Sequence, residues 1–127
     1  MSEVACLELS LVLWIVHIGV QAAFAGSALS PAYLVGPRDQ TLSPKGVSYG
    51  RATRALGNYI ENFVPFVAAD LGLIATQHTG GWGATIWIVA RIIYIPLYLQ
   101  GIAYARTAIW TLSLVGLLMM MARLAGI

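Results

Sequence analysis

Charge is what this chain lacks most. Asp, Glu, Lys and Arg together make up 9% of its 127 residues, hydrophobic residues make up 59%, and the mean hydropathy is +0.79. A soluble domain carries about a quarter charged residues, so this composition cannot furnish a water-facing surface. The same figures exclude a disordered chain and a coiled coil. There is one cysteine, Cys6. It has no partner for an internal disulfide and no neighbours at metal-ligand spacing, so neither a stapled secreted module nor a metal site is expected. Cys6 reads instead as a small apolar residue near a helix start. A net charge of +2 without a basic stripe excludes nucleic acid as a partner. The N-terminus lacks the basic region of a cleavable signal and holds Glu3 and Glu8, so the first hydrophobic segment is expected to be retained. What remains is an integral membrane protein.

A bilayer core of about 30 Å takes roughly 20 helical residues. Uncharged stretches of that length predict one four-span domain over residues 1–127, with helices over 4–29, 51–76, 85–104 and 108–125. Ser30-Pro31 ends the first of them. Residues 31–49 hold Pro31, Pro37 and Pro44 with most of the loop charges, and read as the longest loop. Gly80-Gly81-Trp82-Gly83 is a turn with an interfacial tryptophan, and the last connection falls around Arg106-Thr107. Arg38, Lys45, Arg51 and Arg54 bias the first loop, and Arg106 the third, toward the cytoplasm, with Arg123 dissenting. Both termini then lie on the opposite side of the membrane.

The few charges inside the spans demand a reason, because an ionisable group at mid-bilayer costs about 2.5–3.5 kcal/mol. Glu61 lies about 15 Å along its helix from Arg51, too deep for a short carboxylate to snorkel. Arg54, Asn58 and Glu61 are spaced i, i+4, i+7 and fall in one narrow arc, with Arg51 at its edge. On the third helix Arg91, Tyr94 and Tyr98 share a face with Trp87, and Arg91 is placed to neutralise Glu61 or Asp70. Pro65 frees the carbonyl of Glu61, and Pro96 that of Ile92, for other donors; each is equally a simple kink.

Buried polar groups also serve helix assembly alone, for about 0.6 kcal/mol per hydrogen bond. Two arginines, an amide, a carboxylate and two tyrosines at one depth exceed that need. Arginine forks suit carboxylates, Glu61 suits an ammonium, and Asn58 both donates and accepts. The complement is a small zwitterion with more than one carboxylate, adjacent to lipid. Other residues receive plainer readings. His17 reads as an interhelical hydrogen-bonder, Trp14, Trp82, Trp87 and Trp110 as interfacial anchors or lipid-facing bulk, and Met119-Met120-Met121 as lipid-facing or packing bulk. Trp110 is also placed to border a pocket one turn beyond Arg106. Asp70, off the Arg54 face, is expected to pair with a neighbouring subunit.

The run Arg51-Ala-Thr-Arg-Ala-Leu-Gly-Asn-Tyr-Ile-Glu-Asn-Phe-Val-Pro-Phe66 resembles the second-helix signature of the MAPEG family, the membrane-associated proteins of eicosanoid and glutathione metabolism. Arg54-Ala55, Asn58, Glu61 and Pro65-Phe66 match its core. Ala90-Arg91, Tyr94, Tyr98 and Arg106-Thr107 look like the family's third helix and the start of its fourth. The segment Val35-Gly-Pro-Arg-Asp39 looks more like bacterial members than animal enzymes. The resemblance implies an all-α, left-handed four-helix bundle assembled as a homotrimer, with glutathione as co-substrate between subunits near the cytoplasmic face. Arg51, Arg54, Asn58, Glu61 and Arg91 would form its site, with Tyr94 and Tyr98 from the neighbouring subunit. Arg106 would stand near the thiol as the activating residue.

The implied chemistry is thiolate formation followed by attack on a lipophilic electrophile or hydroperoxide from the bilayer. Three departures from the family pattern argue against a dedicated eicosanoid synthase. Ser30-Pro31-Ala32 stands where some members carry an arginine, Gly57 where several have a basic residue, and Asn62 where leukotriene-forming members have a tyrosine. Two other functions compete, a non-catalytic trimeric scaffold and a small proton-coupled exporter using Glu61.

Overall fold

The computed structural model describes residues 1–127 and contains helices and connections without a strand. The helices are α1 (Glu3–Ala28), α2 (Pro31–Val35), α3 (Ser48–Ala75), α4 (Gly83–Gln100) and α5 (Ala103–Leu124). Of these, α1, α4 and α5 are long and apolar enough to cross a membrane. With 28 residues α3 is the longest of all, but its polar first half sets it apart. The chain is an all-α integral membrane protein.

Local chemistry sets most of the helix ends. Ser2 caps α1, its hydroxyl accepting from the Ala5 amide at 3.2 Å. Ser30 caps α2 in the same way, with Pro31 in the first turn, so the start of the expected 31–49 loop winds into a short helix. A larger correction falls at the last connection. Gly101 takes a left-handed φ of 77°, and the amides of Gly101 and Ile102 bond back to Tyr98 and Leu97 at 3.1 and 3.0 Å. This glycine stop ends α4 at Gln100 rather than Tyr104. As a result α5 begins at Ala103, and Arg106 is a helical residue of its first turns instead of part of a connection.

The tightest packing joins α4 to α5, and α1 lies along α3. Near the start of α4, Gly83 meets Gly116 of α5 backbone to backbone. A methyl on Gly116 would lie 2.7 Å from the Gly83 carbonyl oxygen, and one on Gly83 equally close to that of Gly116. Between the helices Trp87 is 0% exposed, stacked on Phe66 at 3.9 Å and flanked by Tyr59 at 5.8 Å. It is the centre of the core rather than an interfacial anchor, because its indole packs on the aromatic rings that α3 presents to α4. His17 stacks on Tyr59 at 4.3 Å, while its Nδ1 bonds Leu13 of its own helix at 2.8 Å. It therefore packs, and makes no interhelical hydrogen bond. Of the three methionines only Met120 is buried; Met119 and Met121 face outward.

At the end of the bundle where α1 and α4 begin, Asp70 is 0% exposed and neither carboxyl oxygen has a hydrogen-bond donor. The Glu3 carboxyl stands beside it, held by the Gly80 amide at 2.9 Å. Asp70 thus pairs neither with Arg91 nor outward with another subunit, since it lies on the α3 face covered by its own chain.

Two substitutions test this packing in detergent-solubilised protein by thermal unfolding. Gly116→Ala should destabilise by about 1–3 kcal/mol, since the new methyl meets rigid backbone, whereas Gly19→Ala, with open space around it, should be neutral or gain about 0.5–1 kcal/mol of helix propensity. Asp70→Asn supplies a donor beside Glu3 and should raise stability at pH 8 by about 1 kcal/mol; a lower unfolding temperature would contradict the absence of any donor to Asp70.

Candidate functional site

The other end of the bundle carries the polar residues. A cavity of about 490 Å3 opens there between the first half of α3, the end of α4 and the start of α5. From α3 come Arg54, Gly57, Asn58 and Glu61, one face at helical spacing. Tyr94 and Tyr98 come from α4, and Arg106, Thr107 and Trp110 from α5. Six of the eight residues singled out from the sequence therefore meet in one space.

Each is placed by its helix. The Arg54 side chain folds back over Gly50, whose missing side chain leaves room for it: a β-carbon there would lie 3.2 Å from Nη1. The guanidinium of Arg106 lies 4.8 Å above the ring of Tyr98, a cation–π contact across the α4–α5 turn. This contact offsets the poor placement of a cation near a helix N-terminus. Tyr94 and Tyr98 are themselves in contact, ring centres 5.4 Å apart. The cavity thus sets two guanidinium groups against the single carboxylate of Glu61, with aromatic walls and one open side. Chemically it suits a small ligand carrying more negative than positive charge.

The remaining two residues take other places. Arg51 does not line the cavity; its Nη1 donates to the Leu99 carbonyl at 3.0 Å, and the group lies over Gly101, whose Cβ would be 2.7 Å from Nη2. It closes the C-terminus of α4, where a cation meets exposed carbonyls favourably. Arg91 is 0% exposed beneath the cavity. Its Nη1 donates to Oδ1 of Asn58 at 2.8 Å, and its Nε and Nη2 have no acceptor. Neither Glu61 nor Asp70 neutralises it, because the near polar group across the α3–α4 contact is the Asn58 amide.

A family model for the MAPEG family matches residues 4–126. The chain belongs to the MAPEG family. No similar protein among the curated ones and no similar solved structure was found. Within this MAPEG chain Tyr94 and Tyr98 line the same cavity as Arg54, Asn58 and Glu61. The Gly101 stop turns α4 back at the level where α3 presents its polar face.

Gly57 and Thr107 line the cavity although neither was singled out as a site residue. The available signal was spacing, since Gly57 adjoins Asn58 and Thr107 adjoins Arg106. If Arg51 is a helix-end residue, Arg51→Ala should lower stability by about 1 kcal/mol, seen as a lower thermal unfolding temperature of the purified protein. An unchanged unfolding temperature would show that the Leu99 contact contributes nothing.

Proposed function

We propose that this protein is a membrane-bound glutathione transferase or peroxidase, acting on lipophilic electrophiles or hydroperoxides that reach it through the bilayer. Support comes from the complementarity of the cavity to glutathione. The tripeptide carries carboxylates, one ammonium and a thiol, and the cavity offers Arg54 to a carboxylate, Glu61 to the ammonium and Arg106 to the sulfur. In this reading Arg54 and Asn58 hold acceptor groups of the peptide, Glu61 its ammonium, and Tyr94 and Tyr98 donate to its remaining oxygens. Four spans, loops one and three in the cytoplasm of a bacterial inner membrane, and a homotrimer complete the proposal. A second copy would close the open side of the cavity.

The chemistry follows from charge. A free thiol titrates at about 8.5 and is mostly protonated at neutral pH. A guanidinium beside the sulfur favours the thiolate, each tenfold gain being worth about 1.36 kcal/mol. Arg106 is assigned this role, its guanidinium fixed over Tyr98. The thiolate attacks an electrophilic carbon and forms the C–S bond, and the leaving group departs with the electron pair. With a hydroperoxide the thiolate takes the terminal OH as the O–O bond breaks, giving a sulfenic acid and an alkoxide, which takes up the proton released when the thiol ionised and leaves as the alcohol. A second glutathione thiol then condenses with that acid to give the disulfide and water. An exporter would want a carboxylate free of cations, whereas Glu61 shares its cavity with two arginines.

Ultraviolet difference absorbance of glutathione on the purified protein near pH 7 tests this reading. A saturable thiolate band is expected, weakened by Arg106→Ala at unchanged glutathione affinity. Glu61→Gln should lower affinity about tenfold, the value of one charge-assisted hydrogen bond. Absence of both the band and calorimetric binding would remove the transferase reading.

A further inference from the structure

We infer that Arg91 fixes which way the Asn58 amide faces, so that at Asn58 the cavity presents a hydrogen-bond donor and never an acceptor. The inference rests on the glutathione reading above and assigns Arg91 a positioning role outside the ligand shell.

A guanidinium has five N–H donors and no acceptor, and it stays protonated. The Asn58 side-chain atom 2.8 Å from Nη1 of Arg91 must therefore be the oxygen. Turning the amide over would set N–H against N–H beside a buried charge. An asparagine at a water-filled surface turns over freely between its two faces; this one does not, because its oxygen is engaged from below. Its NH2 group is left toward the cavity that Asn58 lines.

Arg91 is itself immobilised. It is 0% exposed, with Cζ 5.6 Å from the Trp87 ring centre and 5.3 Å from that of Tyr94. Its Nε and Nη2 find no acceptor at all, so the Asn58 oxygen is the one hydrogen bond this cation makes. A buried charge with a single partner holds that partner firmly, since losing it would leave the group wholly unsatisfied. Asn58 is constrained from the helix side too, as the Asn62 amide donates to its backbone carbonyl at 2.9 Å.

The consequence is a selection rule. The ligand group that meets Asn58 has to be an acceptor, a carboxylate or a peptide carbonyl. An ammonium or an amide N–H there would face a donor, so the ammonium of glutathione is directed to Glu61.

A double-mutant cycle on glutathione affinity, by calorimetry on the purified full chain, tests this. Asn58→Ala removes the donor, and Arg91→Gln frees the amide to turn. Each should weaken binding about tenfold, and the double variant should be no weaker than Asn58→Ala alone. Arg91→Lys, still a donor-only cation, should retain affinity within about threefold of wild type. Equal losses for Arg91→Gln in the wild-type and Asn58→Ala backgrounds would overturn the inference, as would a lysine variant as weak as the glutamine one. A wild type that takes up no glutathione overturns the functional reading and this inference together. Should Arg91→Gln not fold, stability decides: Asn58→Asp keeps an acceptor for Arg91 and should unfold at a higher temperature than Asn58→Ala. The reverse order overturns the Arg91–Asn58 contact.

Discussion

Backbone touches backbone where Gly83 of α4 passes Gly116 of α5, and this approach joins the two helices that carry Tyr94, Tyr98 and Arg106. With no side chain between them the two helices run close along their length. Trp87, one turn beyond Gly83, is then enclosed among Phe66, Tyr59 and the α5 backbone instead of being displaced to the lipid. At the other end of the same pair, Gly101 turns the chain so sharply that Arg106 lands over Tyr98. In a bilayer such contact is a main source of helix association, because apolar side chains gain little by leaving lipid for one another.

On this frame the charges are sorted to two ends rather than paired. Arg91 and Asp70 are both fully buried, yet they do not meet. Asp70 lies beside Glu3 near the start of α1, whereas Arg91 holds an amide under the cavity. Joining them as a salt bridge would have neutralised both and left the cavity without support from below. The arrangement leaves Asp70 without a donor and Arg91 with the Asn58 oxygen as its one hydrogen-bond partner, both costly where charge is buried.

Membership of the MAPEG family places this cavity among proteins of eicosanoid and glutathione metabolism. The cavity combines a charged face on α3 with the aromatic rings of α4 and α5 and the Arg106 guanidinium. Trp110 at its edge extends the aromatic wall along α5. The α3 face that carries Arg54, Asn58 and Glu61 of the family pattern is the one that lines the cavity.

Composition alone determined that the chain is membrane-embedded, because so few charges cannot cover a soluble surface, and uncharged stretches of about 20 residues made its spans helical. Helical spacing alone put Arg54, Asn58 and Glu61 on one face, since that periodicity is a property of the local backbone. The plain reading of Cys6 as a small apolar residue near a helix start agrees with its place in the first turns of α1. What spacing could not supply was the partner of each charge. Arg51 shares the polar arc yet caps α4, Arg91 bonds an amide rather than a carboxylate, and Trp87 lies inside rather than at the interface. Each outcome depends on how deeply two helices interlock and where one stops. Those are decided by glycine contacts between α4 and α5 and by a single left-handed turn, which hydropathy does not register. A sequence lists the donors and acceptors; only the distances between helices determine which of them meet.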